Sequence, residues 1–167
     1  DGALDIATAK GWYEQVTPTK WNQWLTFIEL GENHTYGIAV RTVGADLDGD
    51  GDMDIVQSEC DNPDSRVGWY ENNGCGHFTF HMIKVGGDQV DLHGLAVADF
   101  DGDADLEIVA GGGPMGMVSN IYLFDKQGTS YTEYVIVENA PGHELVTGDF
   151  DQDGDLDIYG KHWADGT

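Results

Sequence analysis

Three acidic stretches decide the fold of this chain. Residues 45–57 read ADLDGDGDMDIVQ, residues 98–110 read ADFDGDADLEIVA, and residues 148–160 read GDFDQDGDLDIYG. Their first aspartates, Asp46, Asp99 and Asp149, are 53 and 50 residues apart. A partial fourth copy opens the chain, because DGALDI at residues 1–6 aligns with DGDMDI at residues 50–55. The chain is therefore built from a repeat of about 50 residues.

Short apolar stretches flank each acidic stretch in the same order. They are rich in β-branched and aromatic residues, and Gly, Asp, Asn or Pro bounds each one, which indicates β-strands. The stretches lie at residues 37–40, 94–100 and 145–150 before the acidic stretches, and at 68–74, 78–83, 121–128 and 131–137 after them, with 12–14 and 24–30 in the first copy. Four short strands per repeat predict an all-β fold made of β-propeller blades, each with four antiparallel strands.

The prediction covers residues 1–167 as one propeller segment of about three blades plus partial ones. The repeats run approximately over residues 1–45, 46–98, 99–148 and, in part, 149–167. Ring closure needs more blades than these, since an open end exposes an apolar face and unpaired strand edges. We therefore expect missing blades or neighbouring chains to complete the fold.

Alternating carboxylates make each acidic stretch a candidate cation site. Two carboxylates about 4 Å apart repel by roughly 4 kcal/mol at an effective dielectric constant near 20, so five in nine residues need a neutralising cation. Oxygen-only ligands favour Ca²⁺ over magnesium and zinc. An EF-hand is excluded, because Gln57, Ala110 and Gly160 stand where it requires a glutamate.

The pattern D-x-D-x-D-G-x-x-D followed by a strand resembles the calcium loop of FG-GAP repeats, also called VCBS repeats, found in the propeller of integrin α subunits. The resemblance implies side-chain ligands at positions 1, 3, 5 and 9 and a carbonyl ligand at position 7. Carried over, the sites are Asp46, Asp48, Asp50, Asp54 and the carbonyl of Asp52; Asp99, Asp101, Asp103, Glu107 and the carbonyl of Asp105; Asp149, Asp151, Asp153, Asp157 and the carbonyl of Asp155; and, in the partial copy, Asp1 and Asp5.

The second site departs from this pattern twice. Ala104 stands where glycine is usual at position 6, a position that needs positive φ, and Glu107 is one methylene longer than aspartate. We expect calcium in three full sites and one partial site, with the metal in a structural role.

In the family's blade, the ends of the strands opposite the metal loops carry the candidate ligand-binding residues. His93 and His143 each lie six residues before the first aspartate of their loop. The competing interpretation is that each histidine fills the channel by bonding to a backbone carbonyl. The candidate ligand-binding residues are His34, His93, His143, Lys161, His162 and Trp163.

The charge balance restricts the partners. With 31 acidic against 7 basic residues, the net charge of −24 excludes nucleic-acid binding through a basic surface. No apolar run is long enough to span a membrane. Cys60 and Cys75 do not make a disulfide scaffold, and their positions at opposite ends of a hairpin argue against a bridge.

The predicted function is that of an extracellular, calcium-stabilised binding or adhesion module, for a polysaccharide or a protein ligand. One alternative is an enzyme, since relatives of the repeat occur in secreted polysaccharide lyases and the histidines and Lys161 supply acid–base groups. The other is a structural subunit of a surface fibre. A binding module is favoured, because no nucleophile motif or catalytic carboxylate pair is visible outside the metal loops.

Overall fold

The computed structural model describes residues 3–31, 40–87, 89–113, 119–140 and 142–162. Within these ranges every regular element is a β-strand, and the strands form four antiparallel sheets. None of the described ranges contains a helix that is long and apolar enough to cross a membrane. The predicted all-β fold of propeller-blade sheets is confirmed.

The two middle sheets are complete four-stranded blades in which each strand pairs with the next one along the chain. The second sheet contains β4 (Val40–Ala45), β5 (Asp54–Glu59), β6 (Val67–Asn72) and β7 (Phe78–Lys84). The third contains β8 (Leu92–Ala98), β9 (Glu107–Gly112), β10 (Ile121–Gln127) and β11 (Ser130–Val137). Each blade thus takes its first strand from before the acidic stretch, so blades and sequence repeats are offset by one strand.

The first and fourth sheets have fewer described strands. The first contains β1 (Ile6–Ala7), β2 (Gly11–Thr17) and β3 (Lys20–Leu25), and the fourth contains β12 (Glu144–Gly148) and β13 (Asp157–Lys161). The innermost strands contact one another in chain order, with β4 beside β8 and β8 beside β12. Successive sheets therefore pack side by side around β4, β8 and β12.

The last strand of the first sheet differs from the prediction. The sequence indicates a strand over residues 24–30, but β3 ends at Leu25. Its pairing with β2, with Trp12 opposite Trp24, extends only as far as this residue. The amides of Thr26 and Phe27 then both donate to the carbonyl of Lys10, which turns the chain out of the sheet. The buried apolar residues beyond Leu25 therefore belong to a connection that follows the strand, where they contribute to packing.

The main apolar core lies between the second and third sheets. It joins Val56, Val67 and Trp69 of the second sheet to buried side chains of the third. Those partners in the third sheet include Leu92, Leu95, Ile108, Tyr122 and Phe124. Each fully buried side chain of this size stabilises the fold by about 1.5–3 kcal/mol.

Buried polar contacts fix how the sheets meet. Ser58 donates its hydroxyl to the carbonyl of Leu92 in the next sheet at 2.9 Å. The fully buried Glu59 accepts from the guanidinium of Arg66 and from the amide of Gly31. Burial acts to raise the pKa of Glu59, but the hydrogen bonds from Arg66 and Gly31 and the charge of Arg66 together outweigh it, and the pKa of Glu59 is lowered. The carboxylate therefore stays charged inside the junction.

The third and fourth sheets approach so closely that only glycine fits. A Cβ atom on Gly94 would lie 2.2 Å from the carbonyl oxygen of Gly142, and one on Gly111 would lie 2.5 Å from the same atom. Such distances are far inside van der Waals contact. The close approach brings residues 142–144 against β8, which matters for the site described below.

We expect Phe27→Ala to lower the free energy of unfolding by about 3–5 kcal/mol, the range for deleting a buried phenylalanine. Phe27 is 0% exposed and packs against Tyr70 at 4.7 Å and Phe78 at 5.1 Å between ring centroids. Ile28→Ala is the matched control, because Ile28 is the next residue in the chain and is 58% exposed. Urea denaturation measures both, and equal losses in the two variants would contradict this account of the connection.

Candidate metal loops and the cluster on the opposite face

The three acidic loops occupy the same place in their sheets. They join β4 to β5, β8 to β9 and β12 to β13. In each case the last residue of the first strand pairs with position 9 of the loop, as Ala45 does with Asp54. The loops are thus tight connections between the two innermost strands of a blade.

The carboxylate at position 9 ties each loop to its own start. It accepts the amide of the residue at position 2: Leu47 donates to Asp54 at 2.9 Å, Phe100 to Glu107 at 2.8 Å, and Phe150 to Asp157 at 2.9 Å. The longer Glu107 therefore reaches the same partner as the aspartates. Its extra methylene does not disturb this contact.

The carboxylate at position 1 accepts the amide at position 6 in all three loops. The donors are Gly51 to Asp46 at 3.0 Å, Ala104 to Asp99 at 3.2 Å, and Gly154 to Asp149 at 3.1 Å. Positions 3 and 5 accept the amides at positions 5 and 7 in the same way. One network of backbone donors therefore orients four carboxylates in each loop.

Position 6 has positive φ in every loop, as the sequence predicts. The angles are 95° at Gly51, 77° at Ala104 and 101° at Gly154. Position 4 is also left-handed, with Gln152 at 65° where the other two loops have glycine. The second and third loops each contain one residue in a conformation that disfavours a side chain.

Carboxylate oxygens converge in each loop. Three oxygens lie within 4.8 Å of one another in the trios Asp46, Asp48, Asp50; Asp99, Asp101, Glu107; and Asp149, Asp151, Asp157. The donors are all oxygens, with no sulfur or nitrogen, which is the chemistry of a calcium site. The residues at position 7, namely Asp52, Asp105 and Asp155, donate their amides within the same network. Asp1 lies outside the described residues, and Asp5 accepts the amide of Gln15 at 2.9 Å.

Burial acts on the position 9 carboxyls. It raises the pKa of Asp54, and the charges of Asp48 and Asp50 act in the same direction against two backbone hydrogen bonds. Burial likewise raises the pKa of Glu107, with further contributions from the neighbouring aspartates. Without a cation, the folded loops are thus less favourable for these charges than water is.

His93 and His143 meet face to face at the opposite end of the sheets. Their rings stack with centroids 3.7 Å apart and an interplanar angle of 20°, and both side chains are buried. Nδ1 of His93 lies 3.2 Å from the carbonyl oxygen of His143. The histidines therefore close the junction between the third and fourth sheets, and a hydrogen bond to a backbone carbonyl is available as the competing interpretation expects.

Arg41 connects this histidine pair to the second sheet. Its Nε donates to the carbonyl of His93 at 2.8 Å, while Nη2 lies 2.8 Å from both Nδ1 of His93 and Oε1 of Glu144. Arg41 and Glu144 lie at equivalent positions, five residues before the first aspartate of their loops, and Gly94 occupies that position between them. One guanidinium thus bridges three consecutive sheets.

Asp61 and Cys60 complete the cluster from the end of β5. Oδ1 of Asp61 lies 3.7 Å from Nε2 of His93. Cys60 is buried, and burial raises the pKa of its thiol to about 12. Both cysteines are free, with Cys60 buried and Cys75 exposed.

The remaining candidate ligand-binding residues do not join this cluster. Lys161 and His162 are exposed at the end of β13. His34 and Trp163 lie outside the described residues. Sequence reasoning missed Arg41, Asp61 and Glu144; the signal that could have found two of them is the opposite charge of Arg41 and Glu144 at equivalent repeat positions.

A family model described as an FG-GAP-like repeat matches residues 46–110, which include the first two full acidic loops. This segment resembles an FG-GAP repeat. The resemblance drawn from the aspartate spacing is confirmed there. Comparison with curated proteins and with solved structures gave no match.

We expect the stability of the calcium-saturated chain to fall as the pH is lowered below about 6.5. Burial lowers the pKa of His143, and the charges of His93, Arg41 and Lys161 outweigh the opposing charge of Glu144. A histidine with a depressed pKa contributes stability that is present above the pKa of the unfolded chain and is lost as the pH falls through the folded pKa.

Melting temperatures at pH 7.5, 6.5 and 5.5 measure this loss. His143→Gln, which cannot become charged, should show a smaller decrease, and the exposed His162→Gln should behave like the parent chain. The same pH dependence in all three proteins would exclude His143 as the cause. The raised pKa values of Asp54 and Glu107 hold for the loops without a cation, and because bound calcium would favour the charged carboxylates, the comparison is made in excess calcium.

Proposed function

We propose that the chain is a segment of an extracellular, calcium-stabilised β-propeller that acts as a binding or adhesion module for carbohydrate. The observation that carries the proposal is the recurrence of one loop geometry. The same amide-to-carboxylate bonds occur in three loops of different sequence, and three carboxylate oxygens converge in each, from positions 1, 3 and 5 in the first loop and from positions 1, 3 and 9 in the other two. Such a geometry is preserved around a common occupant, and oxygen donors select calcium.

In this proposal the side chains at positions 1, 3, 5 and 9 hold the ion with the carbonyl at position 7. Backbone N–H groups already hold several of these carboxylates in place. The ion can therefore be bound by them without a rearrangement of the loop. A ligand present at 100 times its dissociation constant stabilises a fold by about 2.7 kcal/mol per site. Three sites then contribute on the order of 8 kcal/mol, comparable to the stability of a whole domain.

A cleft between the first and second sheets supports the proposed carbohydrate ligand. It measures about 770 Å³, and Trp12 and Phe78 line it together with Asp5, Glu14 and Asp52. Apolar ring surface beside a few polar groups is typical of small-molecule sites. Trp12 is held in place by stacking on Trp24 at 6.2 Å, and Trp24 donates its indole N–H to Glu14.

A polysaccharide lyase is the second candidate. The observation that favours it is the joint position of Arg41, His93 and His143, since a cation and a neutral imidazole are groups that proton abstraction beside a carboxylate requires. The burial of both imidazoles favours the binding module instead.

We expect removal of calcium to lower the melting temperature by more than about 10 °C, because the emptied loops lose several kcal/mol and their carboxylates repel one another. Differential scanning calorimetry before and after chelation measures the change. An unchanged melting curve after verified metal removal would contradict the structural role of calcium.

Variants within the loops sharpen this test. Asp48→Ala and Asp151→Ala should each reduce the stabilisation by added calcium, because each removes a converging oxygen. Asp52→Ala is the matched control, since only its backbone carbonyl is proposed as a ligand. An equal loss in Asp48→Ala and Asp52→Ala would indicate general electrostatic screening in place of a defined site.

We expect the calcium-loaded chain to bind members of a glycan panel, with Glu14→Gln weakening the binding and Glu138→Gln, at an exposed residue directly after β11, leaving it unchanged. Glu14 lines the cleft, and its carboxylate offers a charged acceptor to sugar hydroxyl groups. Calorimetry measures the affinity, and ultraviolet absorbance monitors unsaturated products. The absence of any bound glycan would contradict the carbohydrate ligand, whereas unsaturated products would establish the lyase.

A further inference from the structure

We propose a second kind of metal site in this chain, a transition-metal site of the zinc type held by Cys60, Asp61 and His93. It lies at the junction of the second and third sheets, at the ends of the strands opposite the acidic loops. The ligand atoms come from the end of β5 and from β8. The inference is independent of the proposed calcium loops, because it rests on other residues and another donor chemistry.

The three ligand atoms are already close together. The sulfur of Cys60, a carboxylate oxygen of Asp61 and a ring nitrogen of His93 lie within 4.8 Å of one another. Oδ1 of Asp61 is 3.7 Å from Nε2 of His93, which identifies Nε2 as the nitrogen on this side. A tetrahedral zinc ion holds such atoms about 3.3–3.8 Å apart, so the distances between the ligand atoms need to shorten by no more than about 1.5 Å.

A second group of potential metal ligands also includes His93, but Arg41 already occupies the space between these ligands. His93, His143 and Glu144 also bring ligand atoms within 4.8 Å. Nη2 of Arg41 lies between them, 2.8 Å from both Nδ1 of His93 and Oε1 of Glu144. A guanidinium nitrogen at hydrogen-bonding distance from both ligands already supplies the positive charge there, so a metal ion is expected on the Nε2 side.

The Nε2 side has no such internal cation. Among the described lysine and arginine nitrogens, none lies within ion-pairing distance of Asp61, whose one charged partner is the ring of His93. Asp61 adopts a left-handed backbone conformation with φ of 57°, and its side chain is 35% exposed while Cys60 and His93 are buried. An ion therefore has a route to the site past Asp61 and a largely enclosed position once bound.

The surroundings of His93 suit a metal ligand. Metal-bound histidine usually donates its other ring N–H to a carbonyl or carboxylate, and the carbonyl oxygen of His143 lies 3.2 Å from Nδ1 of His93. When the metal takes Nε2, Nδ1 carries the proton and donates it to this carbonyl, and Nη2 of Arg41, now 2.8 Å from Nδ1, has to shift away from that N–H. Arg41 then keeps its bonds to Glu144 and to the carbonyl of His93.

The donor set defines the class of metal. One thiolate, one imidazole and one carboxylate favour zinc or a similar borderline ion over calcium. Three protein ligands leave the fourth position for water or for an oxygen of a bound ligand, as in zinc sites that act on substrates. The ion would also link two neighbouring blades directly.

Cobalt(II) is the probe, added to the full chain in excess calcium so that the acidic loops are saturated. We expect one equivalent of Co²⁺ to produce a thiolate-to-cobalt charge-transfer band in the near ultraviolet, together with visible bands of a tetrahedral ion. Zinc should abolish both by displacement. Cys60→Ser should remove the charge-transfer band, and Cys75→Ser, which alters the exposed cysteine, should retain it.

If Cys60→Ser is unable to fold, a melting curve of the calcium-loaded protein without cobalt reveals this. In that case two further variants still decide the test. Asp61→Asn and His93→Gln should each weaken Co²⁺ binding by at least about tenfold while the exposed His162→Gln binds as the parent does. The proposal is overturned if the parent chain shows no charge-transfer band. It is also overturned if the band survives in Cys60→Ser or disappears in Cys75→Ser. The same holds if Asp61→Asn and His93→Gln both bind Co²⁺ as tightly as the parent chain does.

Discussion

The rest of the structure depends on where the carboxylates of each acidic loop are held. Asp54 shows the constraint most directly, because one of its oxygens accepts the amide of Leu47 in the loop and the other accepts the amide of Asn72 at 2.8 Å. One buried carboxylate thus joins the loop to β5 and to the end of β6. Leu47 in turn packs into the main core, and its carbonyl accepts the ammonium group of Lys126 from the third sheet at 2.9 Å. The charged loop and the apolar core are consequently one unit.

The opposite ends of the strands follow a different rule. There the repeat places equivalent positions of successive blades side by side. Residues that differ between the repeats at one position therefore lie next to one another. His93 and His143 share one such position, while Arg41, Gly94 and Glu144 share the next. Gly94 provides the room, since a Cβ atom there would collide with Gly142. A cluster of arginine, histidine and glutamate is therefore assembled from equivalent positions of three successive repeats.

Much of the architecture was predictable from the sequence, and the limits have physical causes. The aspartate spacing and the bounding glycines indicated the loops, most strands and the positive φ of Ala104, because these features are local. The end of β3 was not, since residues 26–30 are as apolar as a strand and only pairing with β2 shows where it stops. The stacking of His93 on His143 and the approach of Asp61 depend on contacts between blades. Those contacts are set by the packing of whole sheets, and no local pattern encodes them.

The backbone of the loops also bears on the proposed cation. Left-handed conformations at Ala104 and Gln152 each cost about 1–2 kcal/mol relative to glycine, whereas the first loop has glycine at both positions. Burial and mutual repulsion of the carboxylates add to this cost in the metal-free state. A bound ion at 100 times its dissociation constant returns about 2.7 kcal/mol per site, which exceeds the backbone term. In the proposed ion sites the non-glycine residues are thus tolerable, because the free energy of ion binding offsets the cost of their backbone conformation.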